Sequence, residues 1–272
     1  MKTVLGIDVG GSTTKIVGFR ENGDFISPMF VRATDQLTST YGAFGKFTNI
    51  NKIGLDEIER IMVTGVGSTF ITEPIYGIKC EHISEFPCIG KGGLFLSGLD
   101  EAIVVSMGTG TAFVHAKKNG ECNYLGGTGV GGGTLLGLSE KLFGVRDIDH
   151  IIELAEKGDL SKIDLRVSDI TKKDFHPGLS PKLTASNFGK VSEMAGKSDL
   201  ALGVINMIFE TVGMLALFAT RSTGTDKVVV TGNMATLPKA KSVFETLHKN
   251  FGLEFIIPEN ARFGTVIGAA LS

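Results

Sequence analysis

The sequence has few cysteines and no excess of one charge. Its three cysteines among 272 residues, Cys80, Cys88 and Cys122, are odd in number and lack the spacing of metal ligands. No secretory signal is recognisable at the start of the sequence. We therefore expect reduced thiols and a cytoplasmic protein, which argues against a disulfide-stabilised fold.

Positive and negative side chains nearly balance. The chain has 27 lysines and arginines against 29 aspartates and glutamates, a net charge of −2, and no basic run stands out. Because this pattern attracts no polyanion, we expect neither nucleic acid nor an anionic membrane as a partner. The expected partner is a small-molecule substrate.

One apolar run, residues 200–219, resembles a membrane span, but it is interrupted. Asn206 and Glu210 lie within it. A spanning helix needs about 20 nearly uninterrupted apolar residues. The run is better interpreted as a buried core helix.

Length and hydrophobic periodicity predict a two-lobed α/β fold. With 272 residues, 42% of them hydrophobic, the chain can form one large domain or two lobes. A strand, a glycine turn and a second strand recur near residues 2–20 and 102–118, which indicates two related lobes facing a shared cleft. We expect lobes at 1–92 and 93–272. Strands alternating with helices favour an α/β fold. Helices are predicted at 135–143, 148–158, 184–195, 200–220, 239–251 and 263–271.

Three glycine-rich turns follow predicted strands, within residues 5–15, 104–111 and 228–233. Glycine lets the backbone approach a bound group and direct its N–H donors towards it, which suits phosphate. Three such turns indicate a nucleotide held from several sides, as in a kinase or an ATPase. The spacing of a Walker loop is absent.

Asp8 ends the first strand and precedes the first turn. A carboxylate there is costly to bury unless it is paired or binds metal, so we expect Asp8 to hold Mg²⁺, directly or through water. The turns are expected to contact the cofactor ATP. The predicted cofactor-binding residues are Asp8, Gly10, Gly11, Ser12, Thr13, Lys15, Gly108, Thr109, Gly110, Thr111, Gly131, Gly132, Gly133, Gly232 and Asn233.

Glu85 stands among apolar neighbours. Desolvation there would raise its pKa towards the range of a general base. From the residues alone, an ordinary surface glutamate is the better interpretation.

Taken together, the motifs resemble the type II pantothenate kinases of the acetate and sugar kinase/Hsp70/actin superfamily. The resemblance covers nearly the whole chain, and its pieces occur in order. They are residues 6–12, 84–86, 107–111, 131–134, 158–159, 163–167, 183–189 and 263–269.

The resemblance implies two ribonuclease H-like lobes with a nucleotide cleft between them, in a homodimer. It implies ATP-dependent phosphorylation of the primary hydroxyl of pantothenate, the first step towards coenzyme A. Glu85 matches the catalytic base of the family. Asp8 would serve Mg²⁺ and the phosphates, and Gly232 and Asn233 would lie nearer the nucleoside.

The sequence departs from the family pattern in the expected acceptor site, where Thr109, Ala112 and Tyr124 are the predicted substrate-binding residues. Tyr124 stands where an arginine commonly meets the pantothenate carboxylate, and Ala112 replaces a serine. Another cation could take over, or the acceptor could lack a carboxylate, as pantetheine does. A kinase for another alcohol and an actin-like nucleotide switch are the alternatives.

Overall fold

The computed structural model describes residues 2–32, 35–171 and 180–272. The strands are β1 (Thr3–Val9), β2 (Thr13–Arg20), β3 (Phe25–Arg32), β4 (Ile58–Thr64), β5 (Cys80–His82), β6 (Glu101–Met107), β7 (Thr111–Lys117), β8 (Cys122–Thr128), β9 (Leu165–Arg166), β10 (Thr184–Ser186), β11 (Lys227–Thr231) and β12 (Glu254–Ile256). The helices are α1 (Gln36–Asn51), α2 (Glu85–Ser97), α3 (Gly132–Phe143), α4 (Ile148–Glu156), α5 (Val167–Ile170), α6 (Lys197–Thr223), α7 (Pro238–Phe251) and α8 (Gly264–Ala270).

The two large sheets have the same topology. The first has the order β3-β2-β1-β4-β5, and the second the order β12-β11-β6-β7-β8. In each, an antiparallel hairpin and a third antiparallel strand are followed by two parallel strands. The repeat predicted from the sequence is therefore a repeat of the fold, and the predicted two-lobed α/β architecture is confirmed.

The first core lies between its sheet and α1. Leu5, Ile7 and Val9 on β1 are fully buried, and Phe44 and Phe47 of α1 pack in the same cluster. The side chain of Asp35 caps α1 by accepting a hydrogen bond from the Thr38 amide at 2.7 Å. Such a cap satisfies one of the free amides of the first turn.

The long helix α6 is the centre of the second core, as the sequence predicts. It is apolar enough to cross a membrane, with a mean hydropathy of 1.9 in its most apolar window, but 67% of that window is buried inside the protein. Asn206 is buried where its amide donates to Asp164 Oδ2 at 3.1 Å. A partnered polar group of this kind is typical of a globular core.

The predicted helix at 184–195 is wrong. Thr184 begins the short strand β10, and Phe188 has a left-handed backbone with φ of 56°. The Phe188 amide donates to Asp164 Oδ1 at 2.9 Å, and the side chains of Thr184 and Asn187 both donate to Glu210. These bonds to neighbouring elements take the place of helical hydrogen bonds, a competition that propensity alone does not predict.

Two helices, α2 and α8, pack against each other between the two sheets. α2 follows β5 of the first sheet yet packs on the second, where Ile89 and Leu94 join the cluster of Val104 and Val114. α8 ends the chain and packs on the first sheet with Val17. The predicted lobe boundary at 92/93 falls within α2 and stays a prediction.

Candidate active site

A cavity of about 510 Å³ opens between the two sheets, at the ends of β1 and β6 where their hairpins turn. The lining residues are Asp8, Gly10, Gly11, Ser12, Thr13, Lys15, Gly65, Val66, Glu85, Phe86, Ser106, Gly108, Thr109, Gly110, Thr111, Ala112, Tyr124, Gly127, Thr128, Gly129, Gly232, Asn233 and Thr265. All three glycine-rich turns predicted from the sequence contribute to this one cavity.

Asp8 and Lys15 form a buried pair at the base of the cavity. They are cross-strand partners on β1 and β2, with 3.8 Å between Lys15 Nζ and Asp8 Oδ2. Burial raises the pKa of Asp8, and the charge of Lys15 opposes that shift. The pair therefore leaves a carboxylate that a further cation would stabilise.

Gly65 gives the Asp8 carboxylate its space. It follows β4 with φ of 89°, and a methyl group there would overlap Asp8 Oδ1. A side chain at this position would be strained and would press on the carboxylate.

The residues present fit a magnesium ion held with a phosphate ligand. No cluster of three or more His, Cys, Asp or Glu side chains suited to a metal occurs in the part of the chain that the structure describes. Mg²⁺ usually takes one or two carboxylates and completes its shell with water and substrate phosphates. A single carboxylate facing two glycine turns suits that pattern, and Asp8 is the residue that would hold the ion.

The first turn presents its tip to the cavity. The Gly10 amide donates to Thr13 O at 3.0 Å, which closes the hairpin and leaves Gly11 and Ser12 exposed at the tip. Exposed amides and a hydroxyl beside Lys15 are suited to phosphate oxygens.

The second turn packs against the start of α3. The amides of Gly132 and Gly133 donate to the carbonyls of Gly108 and Thr109, both at 2.8 Å, and a Cβ added at Gly131 would lie 2.9 Å from Gly110 Cα. Those amides support the turn from behind. Among the described residues, Gly131, Gly132 and Gly133 do not line the cavity, and their contact with a nucleotide stays a prediction.

The third turn lies at the second-lobe side of the cavity. Gly232 has φ of 91° and donates its amide to Ala261 O at 2.9 Å. Asn233 Oδ1 is buried without a hydrogen-bond partner among the described atoms. An unpaired buried acceptor is costly unless something donates to it, so a ligand donor fits there.

Glu85 is the first residue of α2 and faces Asp8 across the cavity. Its position is fixed from the first lobe, because Thr64 Oγ1 donates to Ile83 O at 2.9 Å and the Ile83 amide donates to Val63 O at 2.9 Å. Burial raises the pKa of Glu85, the Asp8 charge raises it further, and Lys15 lowers it. A carboxylate with a raised pKa in a cleft is suited to accept a proton near neutral pH.

Beside Glu85, two aromatic rings form one wall of the cavity. Phe86 and Tyr124 stack with 3.9 Å between ring centroids and an interplanar angle of 15°. Ala112, paired with Gly127 across β7 and β8, adds little bulk opposite them. Among the described residues that line the cavity, Lys15 is the only basic one. Among these described lining residues, no cation near Tyr124 takes the place of the arginine of the family pattern.

Several residues that line the cavity are not among the predicted site residues. Gly127 and Gly129 lie in a segment dense in glycine, and Phe86 directly follows Glu85. Because these residues adjoin predicted site residues in the sequence, the local sequence is a signal that could have placed them in the site. Ser106 and Thr265 carry no local signal, because only the packing of β6 and α8 at the cleft brings them there.

The chain matches a known protein family. The sequence profile of the family described as Fumble matches residues 101–251. That match covers more than half of the chain. The chain belongs to the Fumble family.

A relative of this chain is recognisable over almost its full length. A protein of Staphylococcus aureus (strain USA300) named "Type II pantothenate kinase" is 29% identical over 279 residues, which cover 97% of both chains. The resemblance to type II pantothenate kinases predicted from the motifs is thereby confirmed.

Solved structures share the fold of this Fumble-family chain. Component A of the (R)-2-hydroxyglutaryl-CoA dehydratase of Acidaminococcus fermentans has a TM-score of 0.70 at 17% identity, with 100% of this chain and 97% of that chain covered. A ROK family glucokinase from Streptomyces griseus, in complex with glucose and AMPPNP, has a TM-score of 0.62 at 12% identity, with 98% of both chains covered. At such identities the likeness concerns the fold alone.

Proposed function

We propose that this chain transfers the terminal phosphoryl group of ATP to the primary hydroxyl of pantothenate, the first step towards coenzyme A. The observation that carries the proposal is the meeting of Asp8 and Glu85 in one cleft with three glycine turns from both lobes. The full-length likeness to a type II pantothenate kinase supports the choice of acceptor.

Each residue has a part that follows from its position. Mg²⁺ bound with ATP would supply positive charge that neutralises the phosphates. Asp8 would hold that ion, directly or through water. Gly11, Ser12 and the Gly108–Thr111 turn would orient the phosphate oxygens with amides and hydroxyls, and Lys15 would add positive charge.

Glu85 would act on the acceptor. Its carboxylate accepts the hydroxyl proton while the hydroxyl oxygen bonds to the γ-phosphorus and the bond to the β-phosphate oxygen breaks. The raised pKa of Glu85 makes it a stronger base than an exposed glutamate. The apolar face of Phe86 would keep water from competing with the acceptor.

The experiment is ADP release by the purified protein with Mg²⁺, ATP and a panel of alcohols that includes pantothenate and pantetheine. Pantothenate should stimulate ADP release far above the rate without acceptor. If no alcohol in the panel stimulates it, the kinase proposal fails and an actin-like nucleotide switch is the better interpretation.

A second candidate acceptor is an alcohol without a carboxylate, such as pantetheine. Tyr124 favours it, because the ring stacks on Phe86 where a charge-assisted bond to a carboxylate is expected in the family. In the same panel, a higher kcat/KM for pantetheine than for pantothenate would select this candidate.

We also propose a cytoplasmic homodimer without membrane or nucleic-acid partners. Leu215 and Phe218 are exposed one turn apart on α6, on a helix that is otherwise the core of the second lobe. Apolar side chains in such a row are suited to a second copy. Analytical ultracentrifugation should give twice the monomer mass, and Phe218→Glu should shift the protein to the monomer.

A further inference from the structure

The two helices between the sheets, α2 and α8, contact each other at glycines. On α2, Gly90 and Gly93 let the helix approach β7 and β6 closely, where a methyl group on either would collide with Ala116 or Val104. α2 is thereby fixed against the second sheet, and its opposite face is turned to α8.

Contact between α2 and α8 is closer than side chains would allow. A methyl group at Gly92 would overlap the carbonyl oxygen of Gly264, and one at Gly268 would overlap the carbonyl oxygen of Cys88. At Gly92 and Gly268, therefore, backbone packs on backbone, with no side chain between to adjust the distance.

The other side of α8 meets β1 in the same way. A Cβ at Gly6 would lie 2.5 Å from Val266 O and 2.9 Å from Ala270 Cβ. α8 itself presents only small or apolar side chains, and Ala269 is fully buried in a cluster with Met62 and Cys88. One helix thus separates β1 from α2.

These contacts lie close to the two carboxylates of the site. Gly6 is two residues before Asp8 on β1, and Cys88 is three residues after Glu85 on α2. We infer that α8 is a spacer whose small residues set the separation of Asp8 and Glu85, so that Gly6 and Gly268 are positioning residues for phosphoryl transfer. The inference rests on the proposed function.

Phosphoryl transfer tolerates only a small change in the separation of Asp8 and Glu85. A misplacement of about 1 Å caused by a change far from the chemistry can cost ~10²-fold in rate. Because the backbones already touch, a methyl group at Gly6 or Gly268 must move α8 away from β1 or α2. Gly6 and Gly268 themselves are not among the residues that line the cavity.

The charges around Glu85 provide a second readout. Asp8 on β1 raises the pKa of Glu85 and Lys15 on β2 lowers it, whereas α8 has no titratable side chain. No charged group on β6, β7 or β8 is among the causes of the shift. On α2 itself, burial raises the pKa of the Cys88 thiol to about 11, so this group stays neutral. Greater separation from Asp8 should therefore lower the pKa of Glu85.

The test compares Gly6→Ala and Gly268→Ala with the control Gly45→Ala. Gly45 is a helical glycine on α1 with nothing within 4 Å of an added Cβ. For both test variants we expect kcat to fall by ~10²-fold, with KM for ATP within about twofold of wild type. The acid limb of kcat/KM should move to lower pH. Gly45→Ala should match wild type in kcat, in KM for ATP and in the position of the acid limb.

Thermal melting checks that each variant folds. If both Gly6→Ala and Gly268→Ala unfold, Ala269→Gly is the variant that tests the spacer role. It removes one buried methyl group and should lower Tm by only a few degrees. It makes the spacer thinner, so kcat should still fall by about threefold or more, with a shifted acid limb, now to higher pH.

The outcomes separate this inference from the proposed function. If wild type shows no acceptor-dependent ADP release, the proposed function itself has failed. If wild type turns over and the folded variants keep its kcat and its acid limb, the spacer role is overturned. A loss of kcat that only follows the loss of folded protein, with the acid limb unchanged, overturns it as well.

Discussion

The two lobes share one topology but differ at equivalent positions of their hairpins. Asp8 is the sixth residue of β1 and pairs with Lys15, while Ser106 is the sixth residue of β6 and pairs with Ala112. The first lobe thus has a buried ion pair where the second has a hydroxyl and a methyl group.

Because of this difference, the two lobes are suited to bind different groups in the cleft. A charged pair suits a metal ion and phosphates, and a small neutral pair leaves room for a turn and an acceptor. Repetition of a fold therefore does not mean repetition of chemistry. Glu85, between the lobes, belongs to neither hairpin.

The largest expected effect comes from Glu85→Gln, which tests whether the group between the lobes is the base. Turnover should fall by ~10²–10⁴-fold, because a positioned base contributes that much. ATP binding should persist, since Glu85 is predicted to act on the acceptor. Steady-state kinetics and nucleotide titration measure both, with Glu59→Gln, on an exposed residue of β4, as the control. A rate within about threefold of wild type would remove Glu85 from the chemistry.

Asp8→Asn tests the charged position of the first lobe. Loss of a metal contact, direct or through water, should weaken apparent Mg²⁺ affinity by ~10–100-fold. Ser106→Ala changes the equivalent position of the second lobe and should cost only ~2–10-fold in turnover with no change in Mg²⁺ dependence. Equal effects of the two variants on Mg²⁺ dependence would contradict the division between the lobes.

The pH dependence tests the coupling of Asp8 to Glu85. Both pKa values are raised by burial, so the base is protonated, and activity lost, as pH falls through a range above that of ordinary carboxylates. Below that pH range, kcat/KM should fall about tenfold per pH unit. Because Asp8 and Glu85 interact, this acid limb of the pH profile reports the titration of the two carboxyl groups together. In Asp8→Asn the remaining limb should lie at lower pH. A limb in the ordinary glutamate range in wild type would argue against a buried base.

A smaller effect than that of Glu85→Gln is expected at the acceptor wall. Tyr124→Arg with Ala112→Ser restores the family pattern and should lower KM for pantothenate by about tenfold, through a charge-assisted bond. KM for pantetheine, which has no carboxylate, should not improve. An unchanged KM for pantothenate would indicate that the carboxylate is bound elsewhere.

Much of the site could be predicted from local sequence. The turns after β1, β6 and β11 follow from buried strands that end in glycine, and Asp8 from its place at such an end. Glu85 needed the family resemblance, because nothing local separates it from a surface glutamate.

What could not be predicted depends on packing. The glycines of α2 reduce helix propensity, and no helix is predicted there. A Cβ added at these glycines would meet β6, β7, β8 or α8, which all pack closely on this helix. The segment after Thr184 was wrongly predicted as helical because its partners, Asp164 and Glu210, are distant in sequence. The amides of Gly132 and Gly133 face the turn behind the cavity, which only the fold determines.

The most direct test of the central claim is identification of the product. Wild type incubated with ATP, Mg²⁺ and pantothenate should yield pantothenate carrying one phosphoryl group on its primary hydroxyl, in equal amount to the ADP formed, by mass spectrometry and ³¹P NMR. Glu85→Gln should yield almost none. ADP formed with inorganic phosphate and no phosphorylated pantothenate would contradict the claim.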